Sequence, residues 1–145
     1  MRWYLAVMKK YAVFSGRASR REYWMFILFN TLVHTVLSIL NFILGIDWLF
    51  NVPILPFVYG LAVLLPGLAV VVRRLHDTGR SGLWLLWCLP GLGIMWILRA
   101  LYDIDRTVSP AWGLIPVALA FLVIFRFTLM RGTPEKNIYG PVPKA

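Results

Sequence analysis

Residues 73–82 read Arg73-Arg74-Leu75-His76-Asp77-Thr78-Gly79-Arg80-Ser81-Gly82. An imidazole beside a carboxylate suggests acid–base chemistry. Neighbours in sequence rarely face one another, however, and no nucleophile or metal partner accompanies His76 and Asp77. No catalytic residue is expected, and the chain reads as a non-enzyme. Arginine forks suit a second task, the capture of phosphate. Arg73, Arg74, His76, Asp77, Arg80 and Ser81 form one half of a candidate anion or lipid-head-group site; Arg17, Arg20 and Arg21 form the other. The competing reading is structural, and the sequence favours it. The arginines then mark one side of a membrane, and Asp77 pairs with one of them to fix how helices dock.

A second polar set is Asn30, His34, Ser38 and Asn41, broadened by Thr31 and Thr35. The spacing of four, four and three residues puts it on one face of a helix. It lies inside an apolar run, where polar groups mark either a pathway or hydrogen bonds between helices. The second reading is favoured, because no other run offers a mid-membrane acid or base for a relay. The chain has no Walker A motif, no HExxH, no G-x-S-x-G and no Cys/His spacing for zinc, so neither cofactor nor metal is expected.

Composition says what solvent holds these groups. Of 145 residues 60% are hydrophobic and 14% charged. That is about half the usual charged fraction of a soluble domain, so lipid must be the solvent for most of the chain. The net charge of +9 would suggest nucleic acid in a soluble protein. Here the basic residues flank apolar runs, and no nucleic-acid partner is expected.

The expected fold is all-α: a polytopic integral membrane protein forming a single membrane domain over 1–145. Four transmembrane helices are expected at about 24–46, 54–72, 83–102 and 110–130, each near the 20 residues that cross a bilayer. Residues 1–18 form an amphipathic interfacial helix and linker, and 131–145 a tail. Orientation follows from Lys and Arg. Thirteen fall on one side, before the first run, between the second and third, and from Arg126 onward; Arg99 and Arg106 fall on the other. Both termini and the 73–82 loop are therefore expected in the cytoplasm.

Punctuation residues frame the helices. Ser19-Arg20-Arg21-Glu22 is a capping box, in which Glu22 should reach back to the Ser19 amide. Ser81 should cap the third run, and Ser109-Pro110 should start the fourth. Pro66 and Pro90 should kink their helices.

Three stretches together resemble the DUF805 family of small bacterial inner-membrane proteins: FSGRASRREYW (14–24), RRLHDTGRSG (73–82) and GTPEKNIYGP (132–141). Glu135 stands where the family more often has glycine, and the link over 99–125 is longer. The resemblance implies a multi-pass protein of the bacterial inner membrane and supplies no activity. Read from its residues, the chain is a structural or regulatory membrane module. Its basic cytoplasmic face would bind anionic phospholipid or other membrane lipids, a second copy as a homo-oligomer, or another membrane protein. The alternative is a small transporter or channel component using the polar face of the first span.

Overall fold

The structure is a computed structural model, and it describes residues 2–46, 48–49, 52–104 and 114–143. Its elements are helical: α1 (Arg2–Lys9), α2 (Arg20–Ile43), α3 (Ile54–Asp77), α4 (Cys88–Ile104) and α5 (Leu114–Leu129). The exception is a two-residue ladder between α2 and α3, where β1 (Trp48–Leu49) pairs antiparallel with β2 (Val52–Pro53). A 3-10 segment, Gly82–Trp87, leads into α4. The expected Ser109-Pro110 start of the last helix lies outside the described residues, as do Asp47, Arg106, Trp112 and Lys144.

α2 and α3 have 24 residues each. At about 1.5 Å per residue either exceeds the roughly 30 Å hydrocarbon layer. Both are long and apolar enough to cross it, while α5 and the apolar part of α4 are shorter. Leu28, Leu32, Val36 and Ile39 on α2, and Val58, Leu61 and Leu64 on α3, are more than half exposed. A helix pair in water would bury such faces; a pair in lipid has no reason to.

The closest packing is at one end of this pair. Val7 of α1, Ala18 of the linker, Tyr23 and Phe26 of α2, and Val70 of α3 form a buried cluster. Tyr4 stacks on Phe26, with ring centroids 5.7 Å apart. The amphipathic N-terminal helix is present, with Val7 buried and Lys9 and Lys10 exposed.

Three backbone repairs let this fold form. Pro66 lies inside α3, which continues through it. A proline cannot donate to the carbonyl four residues back, here that of Ala62. The Tyr11 hydroxyl donates to that carbonyl instead, at 2.5 Å. At the other end of the pair α3 begins after Pro53, which offers no side-chain cap. Asn41, 2% exposed, serves in its place. Its Oδ1 accepts from the Leu55 amide at 3.1 Å, and its Nδ2 donates to the Ile46 carbonyl at 3.3 Å. At the far end of α3 the Gly79 amide donates to the His76 carbonyl and the Arg80 amide to the Leu75 carbonyl, each at 3.0 Å. This Schellman closure needs a left-handed residue, and Gly79 has φ +75°.

Asn41→Ala should strand the Leu55 amide and the Ile46 carbonyl, costing about 1–3 kcal/mol. Tyr11→Phe should cost about 1 kcal/mol by stranding one carbonyl. Reversible unfolding of the detergent-solubilised protein would measure both, and unchanged stability of Asn41→Ala would refute the capping role.

Candidate functional site

The helical turns of α3 run past the apolar stretch to Asp77, so Arg73, Arg74 and Asp77 sit on its last turns. Arg74 and Asp77, three residues apart, share a helix face. The Asp77 carboxylate takes two guanidinium groups. Oδ1 accepts from Arg17, 2.9 Å from Nε and 2.8 Å from Nη2, and Oδ2 accepts from Arg74 Nη1. The remaining donors of both arginines go to backbone carbonyls. Arg17 donates to Thr133 at 2.6 Å and to Glu135 at 2.7 Å. Arg74 donates to Thr128 at 3.2 Å, to Ala18 at 3.5 Å and to Met130.

Thr128 and Met130 lie at the C-terminal end of α5. The last carbonyls of a helix lack intrahelical donors and carry the negative end of its dipole. Arg74 therefore closes α5 from another helix. Arg73 donates from Nη1 to Glu22 Oε1 at 2.9 Å and from Nε to the Ala69 carbonyl at 3.3 Å. Its buried Nη2 finds no partner among the described residues.

The expected capping box forms only by half. Ser19 Oγ does accept from the Glu22 amide, at 3.2 Å, but the Glu22 carboxylate goes to Arg73 rather than back to the Ser19 amide. A guanidinium whose side chain is 1% exposed demands a counter-charge more strongly than an amide at a helix start.

The tail closes over this cluster. The Thr133 amide donates to the Asp77 carbonyl at 2.9 Å. Asn137 Nδ2 donates to the His76 carbonyl at 2.9 Å. The Tyr139 ring lies flat on the His76 imidazole, with centroids 3.8 Å apart and planes 3° from parallel. His76 Nδ1 is 3.1 Å from the Gly16 carbonyl, so it carries the proton and donates. Burial pushes the imidazole below its usual pKa of 6.5, and the Gly16 carbonyl opposes that only in part. A side chain at Gly132 would land inside the Asp77 carboxylate. The three sequence stretches singled out above are thus parts of one buried junction.

The candidate residues divide in two. The side chains of Arg17, Arg73 and Arg74 are each 1% exposed and are engaged by the protein itself. Arg20 is half-buried. With Arg17, Ser19, Arg74, Asp77 and Thr133 it lines an open hollow of about 200 Å³. Arg21 is exposed. Arg80 lies 3.9 Å over the Phe127 ring. Ser81 accepts from the Leu83 amide at 3.1 Å, as a cap does.

The polar face of α2 is dispersed among different tasks. Asn30 accepts from the Tyr59 hydroxyl at 2.6 Å and donates to the Phe26 carbonyl at 2.7 Å. Ser38 donates to the His34 carbonyl at 2.9 Å. Asn41 caps α3. His34, Thr31 and Thr35 face outward, exposed. The tail residues Thr133, Asn137 and Tyr139 complete the junction without having been singled out one by one in the sequence. The tail's signal lay in its resemblance to a family segment. Among the described residues no group of three or more His, Cys, Asp or Glu comes together to hold a metal ion.

The family model described as "Protein of unknown function (DUF805)" matches residues 11–141, a span that takes in all three stretches. Inner membrane protein YhaI of Escherichia coli (strain K12) is 39% identical over 145 residues, covering 99% of this chain and 97% of that protein. Inner membrane protein YhaH of the same strain is 40% identical over 145 residues, covering 99% and 98%. No solved structure matches.

Asp77→Asn should leave Arg17 and Arg74 short of a buried counter-charge, at a cost of about 3–5 kcal/mol. Gly132→Ala should loosen the same junction by displacing the carboxylate. Arg80→Gln should change stability by less than about 1 kcal/mol. Thermal unfolding in detergent would rank the three, and equal midpoints for Asp77→Asn and wild type would remove the junction from its central role. A depressed imidazole pKa favours folding above 6.5, and that contribution is lost as pH falls below 6.5 and the unfolded form takes up a proton. Proteolysis of the tail should therefore accelerate below that pH in wild type and become pH-independent there in His76→Gln.

Proposed function

This chain belongs to the DUF805 family, and on that premise we propose that it is a four-span, non-enzymatic module of the bacterial inner membrane. Its termini lie in the cytoplasm, and its basic rim holds anionic phospholipid head groups. The chemical case rests on how the cations are divided. Arg17, Arg73 and Arg74 are held by Asp77, Glu22 and carbonyls, and so act as internal fasteners. Lys9, Lys10, Arg21, Arg131 and Lys136 are exposed. Among the described residues they form no ion pair. All five belong to segments at the end of the molecule where α2 starts and α3 and α5 finish.

An exposed lysine or arginine at an anionic bilayer surface contributes about 1 kcal/mol. The α1 helix adds an amphipathic element at that rim. The same geometry supports four crossings. The 3-10 segment leaves from the charged end and α5 returns to it, so α4 and α5 form an out-and-back pair. His76 favours a non-enzymatic reading, because its Nδ1 is held by Gly16 and its ring face is covered by Tyr139.

The alternative, a transport path along α2, is supported only by His34, Thr31 and Thr35. Asn30 and Asn41 are already occupied in holding the helices together, and Ser38 bonds the His34 carbonyl of its own helix.

Native mass spectrometry of protein from mixed phosphatidylglycerol and phosphatidylethanolamine membranes tests the lipid reading. Wild type should retain phosphatidylglycerol at least tenfold over phosphatidylethanolamine, a ratio of about 1.4 kcal/mol. A Lys9/Lys10/Arg21/Arg131/Lys136→Gln variant should lose that preference with an unchanged melting midpoint. Equal retention of both lipids by wild type would overturn it.

A further inference from the structure

The outward polar patch on α2 has no part in the rim. His34 lies 14 residues into a helix of 24, well away from either end, and Thr31 and Thr35 flank it one turn or less away. All three are exposed, and among the described residues none of their side chains has a hydrogen-bond partner. Asn30, Thr31, His34 and Thr35 line a hollow of about 280 Å³. His34 also borders a second hollow of about 320 Å³, walled by Pro56, Phe57, Gly60, Leu61 and Leu64 of α3. A side chain at Gly60 would meet nothing within 4 Å. The chain therefore presents, at the depth of the hydrocarbon, a polar ridge beside an open notch.

Acyl chains cannot accept or donate hydrogen bonds, and head groups do not reach this depth. A protein surface is the occupant that satisfies the ridge. Its chemistry selects which protein. A neutral imidazole carries one donor and one acceptor, and each threonine hydroxyl carries both. The patch has no fixed charge that would call for an opposite one. It is complementary to itself, as an interface around a twofold axis must be.

We infer that two copies of this chain pair in the membrane through the Thr31–His34–Thr35 face of α2, with the α3 notch at Gly60 admitting the partner's helix. The pairing shares with the lipid reading only the placement of α2 across the bilayer; it uses none of the rim cations.

Disulfide trapping in isolated membranes tests it. In a Cys88→Ser background, Thr31→Cys, Thr35→Cys and Val36→Cys each place a single thiol on α2. Val36 is exposed but points almost opposite to His34. Copper-phenanthroline oxidation should give a reducible band of twice the chain mass for Thr31→Cys or Thr35→Cys, several-fold above Val36→Cys. Adding His34→Leu should lower the trapped fraction about tenfold, the scale of one interhelical hydrogen bond. Adding the five rim substitutions should leave it unchanged, which separates this result from the lipid experiment. Equal trapping at the three positions, or an adduct whose mass is not twice that of the chain, would overturn the pairing. So would insensitivity to His34→Leu in a variant that keeps its melting midpoint.

Discussion

Everything at the charged end of this molecule depends on one carboxylate having two guanidinium partners. Asp77 holds Arg74 from its own helix and Arg17 from the linker before α2. Through the other donors of those arginines it fixes the end of α5 and the first residues of the tail. Neither arginine is a simple ion-pair partner. Arg17 spreads its charge over two carbonyls and Arg74 over three, and this makes such dense positive charge tolerable away from water. Two carboxylates face three buried arginines, and the negative end of the α5 dipole supplies much of the remaining compensation. The Arg73–Glu22 pair does a parallel job between α2 and α3.

Away from that end the helix pair is held by a few hydrogen bonds, each placed where the backbone is deficient. Tyr11 answers the carbonyl freed by Pro66, Asn41 answers the amide at the start of α3, and Tyr59 engages Asn30. In hydrocarbon there is no water to answer any of these groups, so single side chains carry structural weight that a soluble helix pair would hand to solvent. Packing along the rest of α2 and α3 is loose by comparison, and their outer faces stay open to lipid.

Much of this could be read from the sequence, and the reason differs from one feature to the next. The helices and the amphipathic N-terminus follow from composition and periodicity, which are local properties. The Ser19 and Ser81 caps follow from short-range geometry. The structural reading of the arginine motif was legible because buried charge needs a partner and Asp77 was at hand. What could not be read is which distant groups meet. Glu22 fitted a local role so well that its long-range pairing with Arg73, 51 positions away, was hidden. The tail could be read only as a tail because Thr133, Asn137 and Tyr139 have no periodic pattern of their own; they acquire meaning only against His76 and Asp77. Periodicity put Asn30, His34, Ser38 and Asn41 on one face, but it could not show that three of them have separate partners.

The reach of Arg74 to the carbonyls of Thr128 and Met130 bears on how the chain is made. Arg74 leaves the ribosome more than fifty residues before its last acceptors. Until they arrive, the Arg74 guanidinium waits with half its contacts missing. The junction closes only after α5 has been made. A chain cut short of α5 keeps an open, charged seam there, by which a protease can tell it from an intact molecule.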